Sequence, residues 1–169
     1  MAGVVNELIE VLSNQKECYE GLYTLSTYKA KAIVEKDIDF LKEVIEREEQ
    51  FVGRVSLLER KRDSLFKDIA MLTGLDYKHL TVTKLVDKMG HQLDVSKELI
   101  SLRESLIIEI EKVRKHNEHV KELIEQSLEF VEFTLNAIQT TRLSGIEVNY
   151  SRAGYQNDVE VKRLFDTQR

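Results

Sequence analysis

The chain has 169 residues, 42% hydrophobic and 33% charged, with a net charge of -5 and neither proline nor tryptophan. That length favours one domain able to bury a core without metals or disulfides. The acidic balance argues against nucleic acid as a partner, because phosphate binding needs a clustered basic face. The nearest approach to one, Arg60-Lys61-Arg62, lies between Glu59 and Asp63 and reads as a mixed-charge helix surface. No run approaches the ~18 apolar residues of a membrane span, and Met1 to Asn6 lacks the basic start and apolar core of a secretory signal. No membrane insertion is expected, and a cytoplasmic location is. The single cysteine, Cys18, agrees with that compartment and reads as a small core residue.

The first periodic segment runs from about Val4 to Val34, where Leu8, Leu12, Tyr19, Leu22 and Ile33 recur three, four, seven or eleven positions apart. Lys36-Asp37 breaks the pattern, and Asp37 can accept a hydrogen bond from the free amides that open a second helix. From Ile38 to about Thr73 the stripe Leu41, Val44, Phe51, Val55, Leu58, Leu65, Ile69, Leu72 continues, broken only by Glu48 and Arg62. Gly74 supplies the stop. Leu75 to Gly90 is an irregular connector, with Asp76 and Thr81 as caps of short helical turns and Gly90 as a further stop.

The third long helix spans about His91 to Leu143, with Leu99, Leu106, Ile110, Val113, Val120, Ile124, Val131 and Ile138 on one stripe. At ~1.5 Å per residue it is close to 80 Å long, and the first two are each on the order of 50 Å. Its end must overhang the pair, bend back over it, or be covered by something else. After Leu143 the periodicity fails. The expected fold is all-α: an elongated antiparallel helical bundle of coiled-coil character, with three long helices, a short helical connector and a C-terminal tail. Residues 1–143 form the bundle domain and 144–169 a flexible tail.

A short turn between the first two helices makes them antiparallel, so residues whose numbers sum to about 72 lie side by side. Arg62 then falls near Glu10 and Lys29 near Glu43. These charges either pair across the seam or reach water along their stems, and in both cases they fix register more than stability. Asn117 lands between Val113 and Val120, where a buried amide sets register or partner number.

His116 and His119 stand three apart on one helical face, but no cysteine, third histidine or converging carboxylate accompanies them. They read as helix surface, and no metal or other cofactor is expected. There is no Gly-rich phosphate loop, serine elbow or cysteine–histidine pattern, and an amphipathic rod offers no cleft for acid–base work. No catalytic residue is assigned and the chain reads as a non-enzyme.

The stretch Leu128 to Leu143 is the most unusual. Phe130, Val131, Phe133, Leu135, Ala137, Ile138 and Leu143 cover more of the helix circumference than one core face needs. Two accounts are open. Either the connector Leu75 to Gly90 buries this end, or it forms an exposed face, from Ile124 and Leu128 through Ile138, that receives an amphipathic helix from a partner. A structural coiled-coil adaptor, assembling as a homodimer through the same stripes, is the alternative binding role.

Several short patterns, taken in order, carry a family resemblance. They are Cys18-Tyr19-Glu20-Gly21-Leu22 in the first helix and Lys36-Asp37-Ile38-Asp39-Phe40-Leu41 opening the second. Glu48-x-x-Phe51 and Leu58-Glu59-x-x-Arg62 follow within the second, then Leu80-Thr81 in the connector. Asn117 with Leu123-Ile124-x-x-Ser127-Leu128-x-Phe130 lies in the third, and Tyr150-Ser151-Arg152-Ala153-Gly154 comes late. Spanning most of the chain, these resemble the FlgN family of flagellar export chaperones, which hold hook-filament junction proteins in the cytosol before secretion. The resemblance implies the clients FlgK and FlgL, whose C-terminal amphipathic helices the chaperone would cover and deliver to the export apparatus. It also implies that the tail, through Tyr150 and Gly154, docks onto the cytosolic domain of the export gate.

Overall fold

The computed structural model describes residues 1–150, with side chains to Leu143. In chain order these form α1 (Ala2–Glu35), α2 (Ile38–Thr73), a single 3-10 turn at Tyr77–His79, α3 (Val82–Met89) and α4 (Asp94–Tyr150). No strand occurs among the described residues.

Local chemistry sets the boundaries. Lys36 closes α1 in the left-handed conformation (φ 58°), and the amide of Asp37 donates to the Ala32 carbonyl at 3.0 Å. Asp37 turns to extended backbone and its Oδ1 accepts from the Phe40 amide at 3.0 Å, a cap worth about 1 kcal/mol. A two-residue link of this kind reverses the chain, so α2 returns along α1. Gly74 ends α2 at φ 70°, where a side chain would be strained. Asp76 caps the 3-10 turn and Thr81 caps α3, as their spacing predicts. The third long helix starts at Asp94 rather than His91, because Gly90 is followed by a short turn before the helical amides begin.

Two compact units make up the chain, Met1–Ile124 and a second from Glu125 onward. The first is a bundle. Its larger core cluster joins Val5, Leu8 and Leu12 of α1, Leu65 and Ile69 of α2, Leu85 and Val86 of α3, and Leu99 and Leu106 of α4. A smaller cluster further along joins Cys18 and Leu22 to Val55, with Phe51 and Val113 packed on it. Residue numbers rise together along α1 and α4 and fall along α2, so α1 and α4 are parallel and α2 is antiparallel to both. The connector therefore seals the end of the bundle where α1 begins, with Leu85 and Val86 fully buried. Its apolar residues are thus used in the core of the first unit, and the large apolar side chains of residues 128–143 are all exposed.

The α1–α2 register follows the expected sum near 72. The Phe51 ring lies against Gly21, where an added Cβ would come within 2.6 Å of Phe51 Cε1, so glycine permits this close packing. The seam charges differ from expectation. Arg62 pairs with Gln15, not Glu10, its Nη1 donating to Oε1 at 3.4 Å, and Lys29 pairs with Glu48, not Glu43, at 2.5 Å. Long side chains reach about one turn beyond the backbone register, and two residues that interrupt the stripes find each other there. Leu72, placed on the seam by its spacing, is 56% exposed because it lies past the last α1 residue available to cover it.

Ser26, fully buried on α1, bonds to His116 and Asn117 of α4, offsets of 90 and 91 residues. At that offset Val34, near the end of α1, is level with about Ile124, the last residue of the first unit. The first unit therefore ends about where α1 runs out of chain.

Candidate partner-binding face

Leu128, Val131, Leu135 and Ile138 follow one another three or four residues apart, which on a helix of about 3.6 residues per turn sets them in one stripe. Phe130 and Phe133 fall outside that stripe and extend the apolar surface around the helix. Ile124, which closes the first unit, is 42% exposed, and the six positions in the second unit run from 46% at Ile138 to 71% at Phe133. An amphipathic helix in a globular bundle would bury such a stripe. Here it faces solvent for about three turns.

Threonines add to that surface. Thr134, Thr140 and Thr141 each turn the hydroxyl back to a carbonyl one turn earlier, on Phe130, Asn136 and Ala137, at 2.8 to 2.9 Å. A hydroxyl satisfied within its own helix leaves the methyl as the outward group. The segment is thus more apolar outside than its composition suggests. Such a face is suited to laying an amphipathic helix along it, with side chains from the partner filling the spaces between successive apolar residues.

Where α1 and α4 pair, a polar node replaces the expected buried amide. Asn117 is largely exposed, and only its Oδ1 turns inward to accept from Ser26 Oγ at 3.2 Å. His116 is the more buried of the two, with Nδ1 2.8 Å from Ser26 Oγ and its ring edge-on to Tyr23, centroids 5.6 Å apart. His119 stacks edge-on to His116. Among the described residues no three His, Cys, Asp or Glu side chains gather into a metal site. Burial, and secondarily the His119 charge, hold the His116 pKa below 6.5. A folded-state pKa below the unfolded value means the unfolded chain takes up the proton more readily, so stability is full above pH 6.5 and is lost as pH falls below it. We expect the wild-type melting temperature to drop more than that of His116→Gln between pH 7.5 and 5.5. Parallel curves would remove His116 as the cause.

Cys18 is buried beside Leu22 and Val55, and burial pushes its thiol pKa up, which suits a packing role. Gln15 and Ser26 were not singled out by apolar periodicity, yet both are buried at the α1 interfaces. The signal was present: with Leu8, Leu12, Tyr19 and Leu22 they complete an alternation of four and three residues. Tyr150 is the last residue of α4, its side chain outside those described, and Gly154 lies outside the described residues. No described helix is long and apolar enough to cross a membrane.

The family model described as FlgN protein matches residues 1–158. No curated protein and no solved structure matches the chain.

Proposed function

The chain belongs to the FlgN family, and from that premise we propose that it is a cytoplasmic export chaperone whose exposed α4 stripe holds the C-terminal amphipathic helix of the junction proteins FlgK and FlgL. Family membership implies a role in flagellar export in general. The exposure of Leu128, Val131, Leu135 and Ile138 supports this placement of the client. A helix laid along that stripe would remove its own apolar side from water together with the chaperone's, which keeps the client from associating with further copies of itself.

Hydrogen exchange on the full chain tests this directly. A synthetic peptide with the sequence of a junction protein's last amphipathic helix should slow exchange across residues 124–138 and raise the melting temperature by linkage. No binding at tens of micromolar peptide, or protection confined to other residues, overturns the reading. Self-association through the stripe, which the adaptor role requires, would appear instead as a concentration-dependent mass in sedimentation.

The same proposal assigns Tyr150 and Gly154 to docking on the cytosolic domain of the export gate. Tyr150→Ala should leave peptide affinity unchanged and reduce client export in a motility or secretion assay. Export at the wild-type level removes the tail from that step.

A further inference from the structure

We infer that the first unit carries a second docking surface, a cleft between α1, α2, the connector and α4 that takes an acidic amphipathic segment of a partner protein. The cleft has a volume of about 570 Å³. The buried Leu12 and Leu106 line it together with Phe66 of α2, Leu80 of the connector, and Ile107 and Ile110 of α4. The two isoleucines are 51% and 42% exposed, so this side of α4 has no cover in the bundle. All its lining residues fall between Leu12 and Ile110, within the first unit, and none belongs to the face at 124–138.

Charge selects the occupant. Arg62, Lys78 and Arg103 line the cleft together with Glu59 and Asp63. Asp63 is already engaged, by Lys67 at 2.7 Å and by the Tyr77 hydroxyl. Arg62 and Arg103 form no ion pair among the described residues. Arg62 is instead held by Gln15, an amide only 1% exposed, so a buried neutral group fixes a guanidinium in an apolar cleft. In a chain of net charge -5 this leaves a local excess of positive charge: three cations face two carboxylates in the lining, one of which, Asp63, is also paired with Lys67. Guanidinium groups bind carboxylates through paired hydrogen bonds, and the apolar walls beside them favour a ligand that also carries apolar side chains. The hydrogen bond from Tyr77 to Asp63, with Lys67 Nζ 5.4 Å from the Tyr77 ring centre, pins the connector wall to α2. The cleft is therefore formed before a ligand arrives, which limits the ordering cost of binding.

The test is fluorescence anisotropy with the full chain and two labelled synthetic helices of about 14 residues, or four turns. Both carry leucines at i, i+3, i+4 and i+7, and their remaining positions are mainly glutamate in one and lysine in the other. The glutamate peptide should bind about tenfold more tightly, reflecting charge-assisted hydrogen bonds to the two arginines. Arg62→Gln combined with Arg103→Gln should abolish that preference with the helical signal and melting curve retained. If removing Arg62 from Gln15 unfolds the chain, Ile107→Glu, at an exposed position, reads out the same loss. Equal affinity for both peptides overturns the inference, as does a preference that survives both sets of substitutions. So does hydrogen-exchange protection by the glutamate peptide confined to 125–143. Failure of the α4 client face, by contrast, would show only with the junction-protein peptide.

Discussion

Leu99→Ala destabilises the protein by about 3 kcal/mol and lowers its melting temperature by on the order of 10 °C. Leu99 is fully buried and sits in the cluster where all four helices meet, with Leu8, Ile69, Leu85 and Val86 also at 0% exposure. Removing its isobutyl group forfeits the transfer energy of the lost carbons and leaves a cavity. Surrounding side chains from four elements cannot all move to fill it. Urea denaturation checks this: the midpoint should fall while the slope with denaturant stays constant. Leu128→Ala, the same chemical change at a position 61% exposed, should move the midpoint little. Equal losses at the two positions would mean that Leu128 is core.

Val131→Asp combined with Leu135→Asp removes client-peptide binding by at least about 100-fold and leaves the melting curve of the free protein nearly unchanged. Both residues are about half exposed in one stripe, so in the free protein the new carboxylates stay hydrated. In the complex each would be drawn into an apolar interface without a cation supplied for it, which costs several kcal/mol per buried unpaired charge. Isothermal titration with the peptide measures the first effect and circular dichroism the second. Binding that persists would place the client elsewhere on the chain. Loss of helix content in the free protein would instead show the stripe to be part of the fold.

Most of the helical anatomy was legible because its signals are local. Asp37, Gly74, Asp76, Thr81 and Gly90 mark helix ends through groups that act within four residues, so position alone reveals them. The antiparallel pairing of α1 and α2 follows from the two-residue link. What periodicity missed were partners chosen by reach. Arg62 finds Gln15 and Lys29 finds Glu48 because flexible stems span a turn beyond the backbone register. Leu72 fits the apolar spacing and is nonetheless exposed, since burial depends on whether another helix extends that far.

The candidate face shows the same division. Composition alone marked residues 128–143 as having more apolar surface than one core side requires, and the motif order brought out the family. Whether that surface is covered depends on where the connector packs, and nothing within residues 75–90 states this. The structure puts Leu85 and Val86 against Leu8, Ile69 and Leu99, at the opposite end of the bundle from the level where α1 stops. By itself the sequence determined the helices, their ends and the amphipathic stripes, because backbone hydrogen bonding, capping and apolar spacing are short-range properties. Only the tertiary structure decided which stripes are core and which face solvent, because burial is set by the lengths and packing of segments far apart in the chain.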